Sequence, residues 1–376
     1  MGHRRVLLSL AVALLALPGG AWAGSWNPDY EKKVGAEAAA AAEKQYKVLA
    51  SDPRVKTLNE MAAILAKASS RPEVTYSVKI LDDKEINAFS LPGGYIYVTK
   101  GLLDDAQSDH EVAGVIAHEI AHNCGYDGLE RAKKSEKLFM GSLAGALVTL
   151  IVGGKGSDAN AVLAAGEYIR LGAISQYSME VEKRADRRAV EYLLASKTFN
   201  PVGLLTFMER LAARDRHSPQ QELGVYADHP DSNVRSRLIV GYLQRADVEI
   251  NRRAVTRWEP PQSAEQEVSG HKLATLSLWG VTVFQTGYAA GNGTPLERTN
   301  ALAAALKDAL AAGLEPYEVG VLTGGPAPQV RLGSRPWLTL YPEDLPTPDS
   351  TTEALAQTVV ANLTAALHKE RLNRWF

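Results

Sequence analysis

The sequence predicts an α+β fold: a mainly helical N-terminal domain with a small edge sheet, then a small C-terminal α+β domain. Three observations predict it. Apolar residues recur at helical spacing around His118-Glu119-Ile120-Ala121-His122. A β-prone run, Tyr95-Ile96-Tyr97-Val98, follows a Pro-Gly-Gly turn. After about Ile250 the chain becomes poor in apolar residues, and beyond that stretch strand and helix patterns mix.

The chain opens with a basic start (Arg4, Arg5), an apolar run Val6–Leu17, a Pro-Gly-Gly break and Ala21-Trp22-Ala23. That order predicts a secretory signal over 1–23, cleaved after Ala23. The apolar run is too short for a good bilayer span. Removing Arg4 and Arg5 moves the formal charge from −2 to −4, which argues against a nucleic-acid partner. The Ala-rich, Lys-poor composition reads as bacterial, so the expected location is the periplasm, with membrane association as an extension of it.

Gly35 to Leu65 reads as two helices separated by Asp52-Pro53. The strand at Tyr95–Val98 is expected at a sheet edge, where it could align an extended peptide by main-chain bonds; the plainer alternative is an ordinary hairpin strand in the core. Next comes the helix carrying His118 and His122. Imidazoles four residues apart on a helix point the same way and can grip one metal ion, with Glu119 placed as general base. Ala113, Ile116, Ala117 and Ile120 recur at helical spacing, so this helix is largely buried. Unpaired imidazoles there would be costly, and a metal resolves that cost. The alternative is a surface helix that happens to carry two histidines.

A metal site of this kind needs a third protein ligand and an open fourth position. The stretch Ser178–Asp186 reads as a helix with Glu182 and Asp186 on one face. Glu182 could reach the metal, and Asp186 could accept the free ring N–H of a liganding histidine, His118 first. Glu180 is a rival ligand, but no Asp follows it by four. The alternative is an exposed charged helix, since Lys183, Arg184, Arg187 and Arg188 surround the pair.

Over about residues 30–240 the chain resembles the HtpX, Oma-type and CAAX-prenyl-protease group of zinc metallopeptidases. The matching pieces come in order: the helical pair, Asn87 to Val98, Gly101-Leu102-Leu103, then His118, Glu119 and His122, then Glu182 with Asp186, and last His229-Pro230 with Arg235. Met179 stands where the group often has a basic residue. The resemblance implies that His118, His122 and Glu182 hold one Zn2+ per chain and that Glu119 takes a proton from the metal-bound water. Asp186 and Arg235 are expected behind the ligands. His229 and Arg235, or a tyrosine, are candidates to stabilise the oxyanion. The resemblance also implies that His229 lies near the metal, where it would donate to the transition state or occupy the open position and keep the enzyme latent. The alternative is a histidine before a helix that starts at Pro230, capped by Asp228 or Asp231.

The single cysteine, Cys124, forbids an intrachain disulfide and reads as a small buried hydrophobe. Leu138–Gly154 is the most apolar segment after the signal and sits at the lower limit for a span. A single crossing would put His122 and Glu182 on opposite sides of the membrane, so packing within the protein is expected, with peripheral membrane contact as the alternative.

The expected division is a signal peptide over 1–23, a zinc metallopeptidase domain over 24–252, a linker over 253–270 and a C-terminal α+β domain over 271–376. The linker carries Glu259-Pro260-Pro261-Gln262-Ser263. Ala274–Val283, Glu318–Leu322, Gln329–Leu332 and Trp337–Tyr341 read as strands, and Asn300–Ala312 and Thr352–Leu367 as helices. No metal set, nucleophile pair or phosphate loop is legible there, and a client- or partner-binding module competes with a stabilising appendage. Two functions follow. One is a zinc-dependent endopeptidase acting on unfolded or misassembled envelope proteins; the other is a non-proteolytic chaperone or assembly factor that keeps the metal site. The expected partners are polypeptide substrates, with outer-membrane assembly components or a membrane surface beyond them.

Overall fold

The computed structural model describes residues 28–130, 177–217, 232–268, 270–322 and 324–373. The signal segment 1–23, Leu138–Gly154 and His229-Pro230 lie outside the described residues. Helix α1 (Pro28–Gln45) turns Ala38, Ala39 and Ala42 inward onto Leu81, Leu91 and Tyr97. Helix α2 (Arg54–Ala68) buries Leu58, Met61, Ala62 and Leu65, one stripe at helical spacing. Asp52 accepts the Arg54 backbone N–H at 2.9 Å and closes its first turn.

Strands β1 (Ser77–Leu81), β2 (Ala88–Leu91) and β3 (Tyr95–Thr99) form a sheet of order β1-β3-β2, with β1 parallel and β2 antiparallel to β3. Tyr95–Val98 is therefore the central strand and not an edge. Both of its main-chain edges are taken, so no peptide can add to it. Its burial is nearly continuous, as a two-sided interior strand requires. The open edges belong to β1, where Val48 bridges Leu81, and to β2. Helix α3 (Lys100–Asp105) follows, capped by Thr99.

Helix α4 (Asp109–Cys124) starts at Ser108, whose side chain accepts from the Glu111 N–H, and is buried from Glu111 to its end. Helix α5 (Met179–Ser196) packs on it with Glu182, Ala185, Asp186, Ala189, Val190 and Leu193 inward. Helix α6 (Val202–His217) crosses α4 at two glycines. A Cβ on Gly114 would lie 2.8 Å from the Leu204 Cα, and one on Gly203 2.4 Å from the His110 carbonyl. Only hydrogen at these positions lets the two backbones approach. Helix α7 (Ser232–Arg245) packs against α5 and α6. No helix among the described residues is long and apolar enough to cross a membrane.

The chain then runs β4 (Gln262–Val268), β5 (His271–Leu278), β6 (Val281–Thr286), α8 (Pro295–Ala311), β7 (Val319–Leu322), β8 (Gln329–Leu332), β9 (Arg335–Thr339) and α9 (Thr352–Asn373). Two expectations need correction. Gln262–Val268, read as linker, is a strand: it pairs along its whole length with β5 at the edge of the three-stranded sheet β4-β5-β6, where Gln262, Glu265, Gln266 and Glu267 are exposed. Ala274–Val283, read as one strand, holds a hairpin turn. Trp279 and Gly280 adopt φ of 52° and 69°, which reverses the chain in two residues. An apolar cluster separate from that of the helical part joins Leu276, Phe284, Leu306, Val330, Leu338, Val359 and Leu363. Arg253 ties it to the rest. Its guanidinium makes two bonds to Glu370, at 2.8 and 2.7 Å, and donates to the Leu314 carbonyl at 2.7 Å. The Ser108 hydroxyl at the head of α4 donates to the Val255 carbonyl at 2.5 Å.

Candidate metal centre

Three helices meet at one point. Helix α4 presents His118 and His122 one turn apart. Helix α5 presents Glu182 and Asp186, and α7 inserts Arg235. None of these residues, nor Glu119, is more than 3% exposed.

His118 Nε2 lies 3.0 Å from His122 Nε2, 3.4 Å from Glu182 Oε2, and His122 Nε2 lies 3.5 Å from Glu182 Oε1. The three residues each offer a ligand atom within 4.8 Å of the others. Donors 2.0–2.1 Å from one tetrahedral ion would sit about 3.4 Å apart, so the spacing fits a single cation held by two nitrogens and an oxygen.

The other ring nitrogens face carboxylates: His118 Nδ1 is 3.0 Å from Asp186 Oδ1, and His122 Nδ1 is 3.0 Å from Asp127 Oδ2. Those contacts place the ring protons on Nδ1 and turn the Nε2 lone pairs toward each other and toward Glu182. Three converging acceptors repel unless positive charge lies among them. The balance of forces on His118 points the same way. Burial pulls the His118 imidazole down, yet hydrogen bonds to Asp186 and Glu182 outweigh it and carry the group up to about 9. A divalent cation meets the same demand at the point of convergence. Arg235 supplies fixed charge from behind, with Nη1 2.8 Å from Glu182 Oε2 and Nη2 2.7 Å from Asp186 Oδ1. Burial pushes the Asp186 carboxyl up, but the Arg235 charge wins and holds it at about 2.

Glu119 shares a small cavity of about 20 Å³ with His118, Ala88, Val115, Leu204, Phe207 and Met208. Its carboxylate is therefore next to the cluster but outside it. Glu180 faces solvent and pairs with Lys183, which removes it as a ligand. Arg235 is fully buried and directs its guanidinium at the carboxylates of Asp186 and Glu182. Cys124 is buried with its Sγ 3.6 Å from the Tyr76 hydroxyl, away from the cluster. His229 lies outside the described residues. Sequence reasoning missed two neighbours, Asp127 and Tyr177. The Tyr177 ring stacks on His122 at 4.3 Å and 13°. Its place just before the Glu182 helix was the one signal available.

Comparison with known proteins agrees with this geometry. The sequence model described as peptidase family M48 matches residues 50–242, just over half of the chain. "Metalloprotease LoiP" of Escherichia coli is 31% identical over 50% of this chain and 71% of its own length. The "Putative beta-barrel assembly-enhancing protease" of Vibrio cholerae is 31% identical over 41% of this chain, but only 32% of its own length is covered. The "Mitochondrial metalloendopeptidase OMA1" of Schizosaccharomyces pombe is 25% identical over 58% of this chain and 63% of its own. The matched region contains α4 and α5, which build the His118–His122–Glu182 cluster, and Arg235 of α7, and on that match the chain belongs to peptidase family M48 and is a metalloendopeptidase.

Proposed function

We propose that this chain is a zinc endopeptidase of the bacterial envelope that hydrolyses unfolded or misassembled envelope proteins. The observation that supports it is the convergence of His118, His122 and Glu182, with Glu119 on the wall of the adjoining cavity. In this reading His118, His122 and Glu182 hold one zinc ion. Bound there, zinc would polarise the scissile carbonyl and lower the pKa of a water molecule to about 7. Glu119 accepts the proton of the attacking water and passes it to the leaving amine. Asp186 orients His118, and Arg235 holds Asp186 and Glu182 in register. His229 is assigned a place near the metal; unchanged turnover by His229→Ala would remove it.

The signal-like segment 1–23 supports export to the periplasm, and the name of one relative, tied to β-barrel assembly, supports envelope clients. Residues 24–252 form the peptidase unit in this proposal and 271–376 a second unit of unassigned role, a division supported by the two apolar clusters.

The test compares wild type with Glu119→Gln on casein, with the zinc content of both measured. The variant keeps zinc and loses cleavage. Equal cleavage by the two proteins would overturn the proposal.

A further inference from the structure

The chain between His122 and Asp127 does something a plain helix cannot. At about 100° per residue, position i+5 of a continued helix would lie about 140° round the axis from His122, facing away from it. Here α4 stops. Gly125 donates to the Ala121 carbonyl at 3.0 Å, and Tyr126 takes φ of 56°. That left-handed conformation is uncommon outside glycine and costs energy in a tyrosine. It swings residue 127 back beneath the ring it has just passed. Asp127 is then 5% exposed, with Oδ2 3.0 Å from His122 Nδ1. Its other oxygen, Oδ1, takes the Arg184 guanidinium. A Cβ on Gly125 would sit 2.9 Å from both Asp127 oxygens, so a side chain there would push the carboxylate from its place. Tyr126 is held in turn by Arg71, whose guanidinium stacks over its ring at 4.4 Å.

We propose that Asp127 is the positioning residue for His122, with Arg184 as its counter-ion, and that the Gly125-Tyr126 turn exists to deliver it. This rests on the metal site proposed above. The arrangement parallels Asp186 and Arg235 behind His118 but is built differently. Asp186 and Arg235 come from α5 and α7, while Asp127 is local to the metal helix and borrows its cation from α5. Arg184 stands two residues from Glu182, so the Asp127–Arg184 pair also pins the start of the ligand-bearing helix to the end of the histidine helix. Asp127 fixes which nitrogen of His122 faces the ion and keeps the ring from turning.

The test measures zinc affinity by competition with a chelating dye, and the visible spectrum of the cobalt-substituted protein, for wild type, Asp127→Asn, Asp127→Ala, Arg184→Gln and His122→Ala. The two Asp127 variants should lose about 10–100-fold in zinc affinity and show a shifted cobalt spectrum, which a role in folding alone would not move. Arg184→Gln should lose less, because His122 keeps its acceptor. Should Asp127→Ala fail to fold, Asp127→Asn decides. Wild-type affinity and spectrum in Asp127→Asn, with loss of metal in His122→Ala, would overturn this inference and leave the metal site standing. Wild-type affinity in His122→Ala would overturn both. A loss in Arg184→Gln as large as in Asp127→Ala would move the role away from the carboxylate and overturn the assignment.

Discussion

Arg235 meets Asp186 side-on, Nε to Oδ2 at 2.8 Å and Nη2 to Oδ1 at 2.7 Å, with both residues fully buried. The third guanidinium nitrogen reaches Glu182. One cation thus binds two carboxylates four residues apart on α5, and only the planar fork of arginine can do so. Replacing Arg235 by Ala strands two buried acids, which should cost about 3–5 kcal/mol. Arg235→Lys keeps a charge but not the paired bonds to Asp186 together with the contact to Glu182, and should fall between. Thermal unfolding with metal removed measures both; a melting point unchanged in either variant would refute the clamp.

The acid limb of stability should show Asp186. Its carboxyl is lowered from 3.8 to about 2, burial opposing and Arg235 prevailing. A depressed folded pKa contributes stability that is present above the unfolded value and lost as pH falls through the folded one. The window therefore runs from about pH 4 down to about pH 2, and the contribution is on the order of 2 kcal/mol. In denaturant titrations of metal-free protein, the gap between wild type and Asp186→Asn should close across that window. A gap independent of pH would count against it.

The pair Arg253–Glu370 is 2% exposed on both sides and joins the segment after α7 to α9. Deleting one partner leaves a buried charge. Glu370→Ala should lose about 3–5 kcal/mol, whereas exposed Glu60, paired at 3.9 Å with Lys56, should lose less than about 1 kcal/mol on truncation. Paired melts of the two variants give the comparison, and similar losses would contradict it.

The cavity beside Glu119 is closed by Leu204, Phe207 and Met208 of α6. At about 20 Å³ it admits a small apolar group and no more. Met208→Ala should enlarge it and shift cleavage toward peptides with bulkier apolar residues next to the broken bond, read as a ratio of kcat/KM values. An unaltered ratio would place the substrate side chain elsewhere.

Local signals carried far in this chain. The two histidines and the two α5 acids are each one helical turn apart, so each pair's shared face is set by the helix repeat alone. The buried stripe of α2 follows from the same periodicity, and the last two helices were each legible at one end, near Ala311 and at Thr352, while the first starts earlier, at Pro295, and the second runs on to Asn373. The failures were of another kind. Tyr95–Val98 looks the same in sequence whether one strand or two lie beside it. The Trp279-Gly280 reversal was hidden because tryptophan seldom takes a positive φ, and β4 because its residues are polar.

By itself the sequence determined what each helix could offer: a face with two imidazoles, a face with two acids, and which residues cap or end them. Tertiary structure alone decided that the imidazoles meet Glu182 at 3.4–3.5 Å, that Arg235 is spent on Asp186 and Glu182, and that Asp127 turns back onto His122. The reason is range. Helical periodicity is written in neighbouring residues, while the closure of a metal cluster depends on how helices cross, and that is set by packing such as the contact of Gly114 with Leu204, ninety residues away along the chain.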